Sequence, residues 1–117
     1  MKQLTKNFNL SEFVCHCGCG SDYINPELVN KLQLVRDNMG PMSVTSGVRC
    51  KPHNTKIGGS PTSSHISGVA VDLKCDSGPF RQQILTELTK HFQRIGIAKS
   101  FVHVDIDPAK SDSVWLY

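Results

Sequence analysis

Residues 62–74 read T-S-S-H-I-S-G-V-A-V-D-L-K, and the second half of that stretch decides the fold. Val69 to Leu73 is short, apolar and rich in β-branched residues, which is the form of a buried strand. Asp72 stands inside it. Burying an unpaired carboxylate is costly, so a strand of this kind requires a cation or hydrogen-bond donors beside Asp72. A second stretch supplies candidates. Phe101-Val102-His103-Val104-Asp105-Ile106-Asp107 alternates with the period of a strand, with His103, Asp105 and Asp107 on one face and Val102, Val104 and Ile106 on the other. If the two strands are neighbours, His65, Asp72 and His103 converge on one point. Two imidazoles and a carboxylate with a fourth position left open form the ligand set of a catalytic zinc ion.

Outward from this pair, the chain reads as scaffold. Asn25 suits an N-cap and Pro26 a first helical position, and Leu28, Leu32, Val35 and Met39 then make one apolar stripe that ends at Gly40-Pro41. Met42 to Arg49 reads as a strand, and Cys50 to Pro61, rich in Gly, Pro, Asn and Ser, as a surface loop bordering the site. His53 in that loop is a weaker ligand candidate than His65. Phe80, Ile84, Leu88 and Phe92, widened by Leu85, predict an amphipathic helix from about 79 to 92, with His91 as a charge partner for its last turn. A strand over 94–98 precedes the His103 strand, and Ser113 to Tyr117 closes the sheet. Arg49 has two readings. It is a surface arginine at a strand end, or a fork of donors aimed at a carboxylate or developing oxyanion beside the metal.

With 117 residues, 38% hydrophobic and 20% charged, the chain fits one domain, 1–117, with one core. The formal charge of +3 is the balance of thirteen Lys and Arg against ten Asp and Glu, and the basic residues are scattered, which is no nucleic-acid footprint. The first residues lack the apolar run of a signal peptide, and no stretch approaches the ~20 apolar residues of a membrane span. The expectation is therefore a soluble chain synthesised in the cytoplasm. Cys15, Cys17 and Cys19 alternate in a Gly-rich loop, a spacing tighter than the usual C-x(2–4)-C of structural zinc sites. A structural loop with one disulfide is the first reading of these residues, a second metal site the next, and redox chemistry the last. His16 reads as an exposed loop histidine.

Ser46-Gly47-Val48-Arg49, Asn54, Gly58-Gly59, Ser64-His65 with Gly68, Ala70 and Asp72, and Phe101-Val102-His103-Val104-Asp105 together resemble the zinc D-alanyl-D-alanine carboxypeptidase and phage endolysin family of peptidoglycan peptidases. The resemblance runs from about Asn9 to Tyr117. It implies an α+β fold, Hedgehog/D-Ala-D-Ala peptidase-like, with a small antiparallel sheet flanked by helices. It also implies one zinc ion held by His65, Asp72 and His103, and substrate bound and steadied by Arg49 and Ser64. The implied partner is a peptidoglycan peptide, with no nucleic acid and no membrane insertion, and the implied protein is a monomeric, phage-type hydrolase acting on the cell wall. Many members carry an acidic general base three positions before the last zinc histidine, where this chain has Ser100. Asp105, on the same strand face as His103, is the replacement, with a role in orienting that histidine as the alternative and Asp107 as a third candidate. Ser100 also motivates a rival function: a zinc-containing wall-binding or virion-associated protein with weak catalysis.

Overall fold

The two key stretches become the centre of a five-stranded sheet. In the computed structural model, which describes residues 2–117, the elements follow a 3-10 turn at Leu10–Glu12. They are α1 (Pro26–Met39), β1 (Val44–Ser46), α2 (Lys51–Lys56), β2 (Ala70–Lys74), α3 (Gly78–Leu88), β3 (Arg94–Ile97), β4 (Phe101–Asp105) and β5 (Ser113–Leu116). The sheet order is β1-β2-β4-β3-β5. Every pairing is antiparallel except that of β5, which runs parallel to β3, so the expected antiparallel sheet is mixed at one edge.

Strand alternation divides the sheet into a dry face and a polar one. Val71, Leu73, Ile95, Val102 and Val104 join Leu28, Leu32, Val35, Ile84 and Leu88 of the two long helices in one core. Each such side chain contributes about 1.5–3 kcal/mol by leaving water. The opposite face carries a row fixed by register: Ser46 pairs with Asp72, Asp72 with His103, His103 with Gly96, and Gly96 with Trp115. Gly96 is required in that row. A Cβ there would lie 2.7 Å from the Trp115 indole, so its absence lets Trp115 lie across β3, 5.5 Å from the His103 ring.

The helices begin where the sequence signals them. The Asn25 side chain accepts from Glu27 N–H at 2.9 Å with Pro26 at the first position, and Gly40 ends α1 with φ of 92°. Ser77 caps α3 through Phe80 N–H at 3.2 Å.

Four boundaries differ from expectation. The strand expected over 42–49 shrinks to three residues, because Gly47 leaves the sheet to pack against the Phe13 backbone, whose carbonyl accepts from Val48 N–H at 2.7 Å. The loop expected over 50–61 contains α2, a helix too short to show an apolar period but marked by Pro52 in its first turn. Helix α3 stops at Leu88, and the chain turns so that Phe92 still reaches the core. The strand expected over 101–107 ends at Asp105, so Asp107 lies beyond β4.

Two substitutions test this packing by urea denaturation. Leu32→Ala, at a fully buried position of α1, is expected to cost about 2–5 kcal/mol. Asn25→Ala, which removes the α1 cap, is expected to cost about 1 kcal/mol.

Candidate metal centre

The register that pairs Asp72 with His103 brings the three ligand candidates together on the polar face. Asp72 Oδ1 lies 2.9 Å from His103 Nδ1 and 3.3 Å from His65 Nε2, and the two imidazoles sit edge to face with centroids 5.2 Å apart. One ligand atom from each residue falls within 4.8 Å of the others, so the three could hold a metal ion. All three are buried, Asp72 at 7% exposure.

Each histidine is turned by a second partner. His65 Nδ1 donates to the Gly47 carbonyl at 2.7 Å, which leaves Nε2 directed at Asp72. His103 Nε2 donates to Asp105 Oδ2 at 2.7 Å, which leaves Nδ1 as its ligand atom. Metal-binding histidines are oriented in this way, by a carbonyl or carboxylate on the far ring nitrogen. The donor set and its supporting shell therefore fit a zinc ion.

Arg49 and Arg94 complete the charge pattern. Arg49 is held by Ser46 at 3.2 Å and Asn54 at 3.3 Å, and its Nη2 reaches Asp72 Oδ2 at 3.4 Å, the oxygen turned away from the imidazoles. Asn54 is itself buried, donates to the Ser60 carbonyl at 2.8 Å, and leaves no room for a side chain at Gly59. Arg94 Nε donates to Asp105 Oδ1 at 2.7 Å, and its guanidinium lies 4.8 Å from the Trp115 ring.

Asp105, at 2% exposure, is fully engaged: one oxygen accepts from His103, and the other accepts from Arg94 and from Asp107 N–H at 3.1 Å. Burial pushes both carboxyls upward, yet their hydrogen bonds win. Asp72, bonded by His103 and His65, lies well below the usual carboxylate range, and Asp105, bonded by His103 and Arg94, is also lowered. Burial likewise acts to lower His103, but Asp105 and Asp72 hold it above its ordinary value.

Ser64 is buried beside His65. Its hydroxyl donates to Asp107 at 2.8 Å and accepts from Lys110 at 2.9 Å, so what it secures is the loop that carries His65. Asp107 is occupied by that bond and by Ala109 N–H at 3.0 Å. Ser100 is exposed in the turn before β4, and His53 lies on α2 outside the cluster. The three ligand candidates and Arg49 line a cleft of about 280 Å³ whose walls include Trp115, Tyr117 and Lys110.

Sequence reasoning passed over Arg94, although the argument used for Asp72 applies to it. A charged residue in a four-residue apolar strand asks for a partner, and Arg94 shares the face of Gly96. It named Gly47 only as part of a motif and missed the role of its carbonyl, because a backbone carbonyl carries no side-chain signal.

Arg94→Met would leave Asp105 buried beside His103 without its cation. The expected loss is about 3 kcal/mol, read by urea denaturation of the metal-free protein. No curated protein gives a significant match to the chain, whereas residues 6–105 match the family described as Peptidase M15, a span holding every ligand candidate. The chain therefore belongs to the Peptidase M15 family, a zinc D-Ala-D-Ala carboxypeptidase-like family of peptidases.

Proposed function

We propose that this protein is a zinc-dependent hydrolase that cuts a peptide bond in the peptide portion of bacterial peptidoglycan. The observation that carries the proposal is the convergence of His65, Asp72 and His103 on the floor of an open cleft, in a chain of the Peptidase M15 family. A zinc ion bound there supplies Lewis acidity toward the peptide carbonyl and toward the attacking water.

The chain's own residues then have separate tasks. His65 and His103 present their ligand atoms in fixed directions because Gly47 and Asp105 hold the opposite ring nitrogens. Asp72 adds the negative charge that a divalent cation requires. Arg49, pinned by Ser46 and Asn54, offers donors to a substrate carboxylate or to the oxyanion formed at the carbonyl. Asp105 is assigned the task of positioning His103, since both of its oxygens are taken; this role replaces that of proton acceptor. Trp115 and Tyr117 form an aromatic wall against which a short peptide can lie.

A second function draws on one observation. The carboxylates lining the cleft, Asp72 and Asp105, are both bonded within the site, and an exposed serine occupies position 100. A zinc-bearing wall-binding protein with slow turnover would look the same.

Digestion of purified peptidoglycan followed by mass spectrometry of the fragments separates the two. New muropeptides are expected, and their masses distinguish loss of a terminal D-alanine from a cut within the stem or cross-link. Wall binding without new fragments would leave only the second function.

His65→Ala and Asp72→Ala are expected to lose zinc and activity together while keeping the circular dichroism of the parent. Arg49→Lys is expected to keep zinc and lose about 10²-fold in kcat. Asp105→Asn is expected to weaken zinc binding about 10–100-fold and to recover turnover when zinc is saturating. Persistent inactivity at saturating zinc would return the proton-acceptor role to Asp105.

A further inference from the structure

Away from the cleft, a second group of ligating side chains converges. Cys15 Sγ lies 3.5 Å from Cys17 Sγ and 3.8 Å from Cys50 Sγ, and Cys17 Sγ is 3.6 Å from Cys50 Sγ. With Cys19, the four sulfurs all fall within 4.8 Å of one another. A disulfide needs about 2.05 Å between sulfurs, and all four cysteines are free thiols. Four thiolates around one zinc ion at a bond length of about 2.3 Å lie about 3.8 Å apart, close to the 3.5, 3.8 and 3.6 Å that separate Cys15, Cys17 and Cys50.

The tight C-x-C-x-C spacing, which argued against a metal, is overcome by two local features. Gly18 and Gly20 adopt φ of 82° and 87°, turning the chain so that alternate side chains face the same point. The fourth sulfur comes from Cys50, thirty-five residues on, at the start of α2. Backbone N–H groups point at two of the sulfurs, Cys50 N–H toward Cys15 at 3.5 Å and Ser21 N–H toward Cys19 at 3.4 Å, as outer partners of metal thiolates do. His16, between the cysteines, is bound instead to the Thr45 carbonyl at 2.9 Å. Cys75, the fifth cysteine, is buried in the core, apart from the group.

We propose that Cys15, Cys17, Cys19 and Cys50 form a closed tetrathiolate site for one zinc ion, a second metal centre that fastens the Cys-Gly loop to the segment carrying Gly47 and Arg49. Four protein ligands leave no position for substrate, so the ion is structural. Its thiol protons pass to solvent on binding, and its binding energy adds to folding. The link matters to the cleft because Val48 is already hydrogen-bonded to Phe13, two residues before Cys15, and the neighbouring Gly47 carbonyl orients His65. The tetrathiolate site stands whatever bond the cleft hydrolyses.

Metal content and cobalt spectroscopy test it on the intact protein, prepared reduced and without chelator. Two zinc ions per chain are expected in the parent and one in His103→Ala. Replacement of zinc by cobalt is expected to give a near-ultraviolet thiolate-to-cobalt charge-transfer band, which the His65, Asp72 and His103 site cannot produce because it contains no sulfur. Cys50→Ser is expected to weaken retention of that ion at least tenfold, and Cys75→Ser to leave the band unchanged. A single zinc per parent chain with no such band, or a disulfide among the four cysteines, would overturn the proposal. The band is read on the parent chain, so the test does not depend on any variant folding.

Discussion

A carboxylate buried in the middle of a sheet governs this protein. Asp72 sits where its neighbours in the strand, Val71 and Leu73, are fully buried in the core, and its charge is balanced entirely on the other face of β2. Two imidazoles meet one of its oxygens and a guanidinium meets the other. Removing any of these from the metal-free protein would strand part of a buried charge, and such charges are tolerated only when paired and hydrogen-bonded. The same arrangement that makes Asp72 tolerable suits the cluster to a cation, because the two imidazole nitrogens aimed at it would present lone pairs to a common point on losing their protons.

Around that point, orientation is supplied by groups that do not touch it. The Gly47 carbonyl and the Asp105 carboxylate fix the two rings, and Arg94 in turn neutralises Asp105. The chain from Arg94 to Asp105 to His103 to Asp72 crosses three adjacent strands, β3, β4 and β2. Its geometry is therefore as rigid as the sheet. Arg49 and His65, by contrast, come from loops, and each is tied down separately: Arg49 by Ser46 and Asn54, the His65 loop by Ser64 with Asp107 and Lys110. Loops that carry site residues on a rigid sheet need such ties, since a displacement of about 1 Å is enough to spoil a reacting geometry. The cysteine cluster ties down the segment on the other side of Arg49 by the same principle.

Much of this was legible in local pattern. The alternation in residues 101–105 placed His103 and Asp105 on one face and Val102 and Val104 on the other, and both β4 and the core confirm that division. The stripe of α1 and its Asn25-Pro26 start were legible because helix signals act within a few residues. Less legible were features set by distant neighbours. Strand β1 ends early because Gly47 is drawn to Phe13, and α2 forms where the composition suggested only a loop. Asp107 continues the alternating pattern but lies past the strand, where its carboxylate holds Ser64 and a turn.

The amino-acid sequence by itself determined which side chains face the core, which face the cleft, and that a buried acid needed partners, because strand and helix periods are properties of the local backbone. The tertiary structure decided whether the expected histidines reach Asp72 and which further partners join them. The adjacency of β2 and β4 on which the expected meeting of Asp72 with His103 rested, the pairing of Arg94 with Asp105, and the meeting of Cys50 with three cysteines thirty or more residues earlier depend on strand register and chain crossings. Such contacts are chosen by the packing of the whole core and leave no trace in the spacing of neighbouring residues.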